Sequence, residues 1–455
     1  MTTKNNYTLY RSDLFRHLDG IVTAPVAYEL HAKGITDQLL KEKSCTLSEL
    51  TSKYKANEGY LNVALRVLCS QGWLTQSIDS DGGDVTFTTT PSSEIAFHLF
   101  SVYEDVVKLQ RFSAKFHDRK FEKQPFQKLK KIFNAFKNKY GITIADDEQV
   151  ATIQHQVLKH IEGIILGPTL VHLAMSGMFH KYFMQASFKP EEFHKDANNF
   201  KEVLDILCYF ELFASHNGTY QFTEKGLFYA KRASAYGVTV SYIPTLRMLD
   251  ELLFGNPKAA KLSGDGKKEG HVDRAMNVWG SGGAHASYFK VVDEIIIHLF
   301  NKPIDEQPKG ILDMGCGNGA FLIHLFQVIE KQTLRGQMLD EHPLILVGAD
   351  YNETALSITK GNLVQAEIWA KVVWGDIGDP DRLAQDLQDN YGIALSELLN
   401  VRSFLDHNRI WKGPKPKTTP RISDSKGAYS YEGKRISNDL VEDSLLEHIE
   451  QWAPY

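Results

Sequence analysis

At 455 residues, with 51 Lys and Arg against 56 Asp and Glu and an apolar fraction of 43%, the chain has the makeup of a globular protein large enough for two or three cores. Its net charge of −5 argues against a protein whose main task is wrapping nucleic acid. No apolar run reads as long enough to span a bilayer, and no secretory pattern opens the chain, which points to neither a membrane nor an exported setting.

Cys45, Cys69, Cys208 and Cys316 stand far apart with no Cys-x-x-Cys pair. This excludes a disulfide framework and a zinc knuckle and favours a reducing, cytoplasmic setting. The N-terminal half contains an internal repeat: Gly20-Ile21-Val22-Thr23-Ala24-Pro25, then Leu30 and Gly34, is echoed by Gly163-Ile164-Ile165-Leu166-Gly167-Pro168, then Leu173 and Gly177. Further on, Leu61, Ala64, Leu65, Leu68 and Cys69 match Phe200, Val203, Leu204, Leu207 and Cys208, each set spaced as one helical face. A hairpin signal follows each set, Asp81-Gly82-Gly83 in the first and Asn217-Gly218 in the second. Residues 1–109 and 161–270 are therefore expected to be two mostly helical, winged-helix-like modules.

Between them, residues 110–160 carry lysines interleaved with Phe112, Phe116, Phe121, Phe126, Phe133 and Phe136. Such a stretch can serve a nucleic-acid or membrane surface, but the overall charge favours an amphipathic connector with a solvated lysine face. The recognition-helix positions, 61–68 and 200–207, are apolar rather than rich in Arg and Lys, so base reading is not expected. A Lys- and Gly-rich loop at 258–270 marks the next boundary, and residues 271–455 read as a separate α/β domain.

That domain opens its chemistry at Ile311-Leu312-Asp313-Met314, a short strand that runs into Gly315-Cys316-Gly317-Asn318-Gly319 and then a helix. Glycines are needed where backbone must turn sharply and approach a ligand. An acid at the strand end in place of a pyrophosphate fingerprint suits a cationic, phosphate-free cofactor. A second strand ends in Asp350, able to accept from ribose hydroxyls, and a third ends in Asp376-Ile377, able to accept from an adenine amine. Three acids at successive strand ends resemble a class I S-adenosylmethionine (SAM) methyltransferase over residues 272–455. The resemblance implies that Asp313, Gly315, Gly317 and Gly319 hold the methionine moiety, Asp350 the ribose and Asp376 with Ile377 the adenine.

Upstream, Asn277-Val278-Trp279-Gly280-Ser281-Gly282-Gly283-Ala284-His285, followed by Tyr288, reads equally as a cleft lining or a glycine hinge. A fourth strand over 393–400 leads into Val401-Arg402-Ser403-Phe404-Leu405-Asp406-His407-Asn408-Arg409, which concentrates a base, a metal ligand and cations for an acidic substrate.

These two runs together resemble the C-methyltransferase domains of modular polyketide synthases, especially the metal-dependent ones of acetyltransferase-like loading modules. The resemblance implies methylation of the α-carbon of a malonyl or β-ketoacyl group on an acyl carrier protein. It makes His407, Asp406 and Arg402 the catalytic set, Trp279 and Gly280 cofactor contacts, and Ser281, His285, Tyr288, Ser403, Asn408 and Arg409 substrate contacts. His407 with Asp443 would form a site suited to Fe or Mn. Without a metal, His407 oriented by a neighbouring acid would be the general base. The Pro- and Lys-rich stretch 411–433 reads as a cover for the substrate, a contact for an acidic carrier, or disordered chain. The α/β core stops before its last strands, so completion by further domains of a longer polypeptide or by a partner is expected. Two other readings stay open: a small-molecule O-methyltransferase with a winged-helix dimerisation region, and a DNA-binding regulator that senses SAM.

Overall fold

The structure, a computed structural model, describes residues 3–78, 83–112, 123–259, 270–285, 288–403, 405–406, 409–416 and 422–455. Contacts divide the chain into two units, Met1–Asp273 with Lys426–Ile436, and Arg274–Ser425 with Ser437–Tyr455.

In the first unit, α1 (Thr3–Ala32) is followed by β1 (Ser44–Thr46), α2 (Glu58–Ser70), β2 (Leu74–Ile78) and β3 (Val85–Thr89). The strands form a small antiparallel sheet in the order β1-β3-β2. The second half repeats the plan with α3 (Glu148–Met175), α4 (Ala197–Tyr209), β4 (Phe213–His216) and β5 (Thr219–Phe222), and the place of β1 is taken by a bridge between Phe188 and Tyr220. Leu61, Leu65 and Leu68 on α2, and Phe200, Val203, Leu204 and Leu207 on α4, are buried as their spacing requires.

The repeat meets itself where α1 crosses α3. A Cβ on Gly20 would overlap the His160 backbone, and a Cβ on Gly163 would overlap that of His17. Only glycine permits backbones so close. The contacts are reciprocal, as a two-fold relation between halves requires: His17 Nδ1 lies 2.7 Å from the Tyr236 hydroxyl, and His160 Nδ1 lies 2.8 Å from that of Tyr103. Contrary to the sequence reading, α3 is long and apolar enough to cross a membrane by length and composition, but 83% of its apolar window is buried here. It is the core helix of this unit.

Residues 429–436, from the stretch read as loop, form a hairpin that pairs Tyr429 with Ile436 and Tyr431 with Lys434. Its two turn residues, Glu432 and Gly433, both have positive φ, the twist that two-residue hairpins favour. The hairpin packs on α2, where Gly59 N donates to Gly433 O (2.8 Å) and Arg66 Nη1 donates to Lys426 O (2.8 Å).

In the second unit, after α5 (Arg274–His285), a parallel sheet takes the order β8-β7-β6-β9, built from β6 (Gly310–Met314), β7 (Ile345–Asp350), β8 (Lys371–Trp374) and β9 (Leu398–Val401). The fourth strand is shorter than the sequence suggested, because Leu395–Glu397 forms a 3-10 turn before it. Alternation sends Ile311 to one core with Phe289, Phe300, Leu322 and Leu325. Leu312 and Met314 face the other, with Val347, Leu383, Leu387 and Trp452. Helices thus cover both faces: α6 (Ala320–Gln332) lies on the first, α8 (Pro380–Tyr391) and α9 (Asn438–Trp452) on the second, while α7 (Glu353–Gln365) connects β7 to β8. The chain steps outward from β6 to β7 and β8, then returns to the other side of β6 as β9. The ligand crevice of such sheets lies at that reversal, outside the carboxyl ends of the strands.

Candidate active site

Asp313 and Met314 end β6 at the reversal, and Gly315, Gly317 and Gly319 then carry φ of 83°, 57° and 76°, a region L side chains rarely enter. The turn is held from several sides. Gly315 N and Cys316 N both donate to Ala349 O (2.7 and 3.0 Å), Gly317 N donates to Asp350 Oδ2 (3.1 Å), and Thr359 Oγ1 donates to Gly317 O (2.9 Å). Asn362 Nδ2 donates to Asn318 O (2.8 Å), and Asn318 in turn caps α6 through Ala320 N. From the other side, α5 comes so close that a Cβ on Gly282 would overlap the Asn318 side chain.

Electrostatics favour a cation here. Burial, reinforced by the Asp350 charge, pushes the Asp313 carboxyl up to about 7. Burial also raises Asp350, against the N–H groups of Asn352 and Gly317 and the nearby Arg274. Two desolvated carboxylates side by side are stabilised by a positive ligand. Asp376, at the end of β8, is half-buried and accepts from Gly378 N (2.8 Å), which closes a tight turn around the buried Ile377.

The loop after β9 is pinned to the glycine turn, since a Cβ on Gly315 would collide with Leu405. It is also stapled along α9, with the two segments running in opposite directions. The Arg402 guanidinium lies over the Trp452 ring, 4.9 Å from its centroid. Asp406 Oδ1 lies 2.7 Å from His448 Nε2, and Arg409 Nη2 donates to Ser444 Oγ (3.3 Å). Ser444, His448 and Trp452 are four residues apart and so share one helical face. Arg402 Nη1 lies 3.9 Å from Asp406. His448 is 4% exposed, and burial lowers its pKa although Asp406 works the other way. Its Nδ1, with Nη1 of Arg402 and of Arg409, is buried without a hydrogen-bond partner among the described residues. Burial lowers the Arg409 pKa as well. A buried donor without an acceptor is costly, and one nitrogen of each guanidinium stands so among the described residues.

Of the residues singled out from sequence, Asp313, Gly315, Gly317, Gly319 and Asp350 come together around the turn, and Arg402, Asp406 and Arg409 around α9. Trp279 and Ser281 are half-buried and Gly280 buried on α5, though Ser281 Oγ donates to its own helix at Val278 O (3.3 Å). Ser403 is half-buried beside Arg402, and Tyr288 is largely exposed. Asp443 is buried on α9 next to Ser444. His407 and Asn408, and the side chain of His285, lie outside the described residues. His448 and Trp452 were missed. The signal that could have found them is the match between 402, 406 and 409 on the loop and 444, 448 and 452 on the helix.

Residues 269–455 match the family model of the AprA MT2-like domain, a methyltransferase family, and the chain is a SAM-dependent methyltransferase. Residues 10–76 match the family model of the AprA N-terminal domain, and residues 162–256 that of the AprA winged helix domain. No curated protein sequence matches the chain. Among solved structures, PigF with SAH (S-adenosylhomocysteine) is 13% identical with a TM-score of 0.29, the match covering 50% of this chain and 67% of that one. CalO1, a methyltransferase in calicheamicin biosynthesis in its SAH-bound form, is 19% identical with a TM-score of 0.27, covering 51% and 68%.

Proposed function

We propose that the chain methylates the α-carbon of a malonyl or β-ketoacyl group carried on an acyl carrier protein. The observation that carries the reading is the register of the β9 loop on α9, which gathers a His-Asp pair and two incompletely paired guanidinium groups next to the glycine turn. Asp313, the three glycines, Asp350, Asp376 and Ile377, with Trp279 and Gly280 on α5, hold SAM. Arg402 and Arg409 bind the acidic acyl group and take up charge as its enolate forms. His448, its Nε2–H fixed by Asp406, accepts the α-proton at Nδ1. The carbanion then attacks the sulfonium methyl in line, the S–CH3 bond breaks as the C–CH3 bond forms, and SAH leaves.

His407, the metal ligand that the resemblance implies, lies outside the described residues. Among the described residues no three His, Cys, Asp or Glu side chains converge, and Asp406 already carries His448 and faces Arg402. No step is therefore routed through Fe or Mn. A cytoplasmic setting, consistent with four free cysteines, and an acyl carrier protein as partner complete the reading. The test is methyl transfer from labelled SAM to malonyl-loaded carrier protein, with and without chelator. Transfer that survives the chelator is the expected result, and no transfer under any metal condition would overturn the carbon-methylation reading.

A small-molecule O-methyltransferase is the second reading. It draws support from the reciprocal α1–α3 crossing, which has the form of a dimerisation element closed within one chain. Hydroxylated acceptors in the same assay would distinguish it. A DNA-binding role is disfavoured because the 429–436 hairpin covers α2, the helix that a winged helix would present to a groove. Steeply salt-dependent DNA affinity would revive it.

A further inference from the structure

We infer that Trp452 is a positioning residue that relays occupancy of the cofactor site to the substrate arginine Arg402. The inference rests on the proposed roles of the 376–378 turn and of Arg402. β8 and β9 are the two edges of the described sheet, roughly 14 Å apart at three strand spacings. No ladder hydrogen bond joins their ends directly. Trp452 reaches the segments that follow both: its Nε1 donates to Ile377 O at 2.8 Å, and its ring lies beneath the Arg402 guanidinium. Trp452 is 5% exposed and Ile377 4%, so the hydrogen bond between them is shielded from water. When adenine settles against the 376–378 turn, Ile377 O is fixed, and with it the tilt of the indole and the seat of Arg402. One helical turn earlier, the same helix carries His448, so the relay sets the acidic-group site and the base together.

Hydrogen exchange on the whole chain, with and without saturating SAH, tests this. In the wild type, SAH is expected to slow exchange at the Arg402, Ser403 and Asp406 amides by about fivefold, the low end of ordinary coupling between sites. Trp452→Phe keeps the ring but loses the donor. It should still bind SAH and slow exchange over 315–319, while the effect at Arg402, Ser403 and Asp406 disappears. Equal slowing there in Trp452→Phe would overturn the relay. So would the absence of slowing there in the SAH-bound wild type, a result that needs no variant to fold. Failure of the wild type to bind SAH would instead overturn the cofactor reading itself.

Discussion

The chain buries histidines in both units, and they are built differently. His17 and His160, at 0% and 1% exposure, sit at the α1–α3 crossing. Each shares its Nδ1 with a buried tyrosine hydroxyl, and His17 Nε2 lies 3.2 Å from Glu162. Burial, with Arg16 and His17 nearby, holds the His160 pKa down to about 3, so its ring stays neutral across the physiological range. His448 is nearly as buried, yet its Nδ1 has no partner among the described residues, and two incompletely paired guanidinium groups stand beside it. Burial alone does not mark a catalytic histidine. An unpaired ring nitrogen does not mark one either, since His17 Nε2 is also buried without a hydrogen-bond partner among the described residues, with Glu162 3.2 Å away; what sets His448 apart is the pair of incompletely paired guanidinium groups beside it.

The sharpest way to break that contrast is to remove each ring. His448→Ala is expected to lower kcat for methyl transfer by about 10²- to 10³-fold, the usual share of a general base, while SAH affinity measured by calorimetry is unchanged. His160→Ala should do the reverse, lowering thermal stability while leaving the rate per folded molecule unaltered. Equal activity loss in both would erase the distinction. Next in size is the crossing itself. Gly163→Val places a branched side chain against the His17 backbone and should cost roughly 2–3 kcal/mol of stability, read by denaturant unfolding. A smaller effect is expected in the pH profile. Burial lowers the His448 pKa, and a base works in its neutral form, so the acidic limb of kcat/KM should lie below the ordinary histidine value of about 6.5. Because Asp406 pulls that pKa upward, Asp406→Asn should move the limb lower still, with a reduced plateau.

These effects fall on residues that differ in how legible they were. The glycine turn and its three strand-end acids could be read from sequence because strand, turn and helix follow one another within a few residues and the backbone conformation itself demands glycine. The helical repeat was legible for the same reason: Gly20 and Gly163 are fixed by close approach, and helical spacing exposes the faces of α2 and α4. The α9 face was not legible. Asp406 and His448 are 42 residues apart in sequence, and nothing local to either announces the other. The bilayer-length character of α3 was missed because His160, Glu162, Gly163 and Pro168 interrupt the apolar reading, although the fold buries them with the rest. The 429–436 hairpin was hidden in a Pro- and Lys-rich stretch whose composition suggested loop, and its order comes from packing on α2.

The smallest expected effect tests the cofactor half of the site through its charge. A carboxyl whose folded pKa is raised adds stability that is complete below its unfolded pKa, about 3.9, and is lost as pH rises through the folded value. With Asp313 pushed up to about 7, the ligand-free second unit should therefore soften between about pH 4 and 7. A sulfonium held beside Asp313 and Asp350 favours their ionised forms and reverses that loss. SAH carries the same amino acid and nucleoside without the sulfur charge. At pH 6, where Asp313 is mostly protonated, binding of SAM should release up to about 0.9 proton more than binding of SAH. Titration calorimetry in two buffers of different ionisation enthalpy measures the difference. Equal release by the two ligands would mean that the carboxylates do not face the sulfur, and the cofactor would then have to lie in another orientation across the same strand ends.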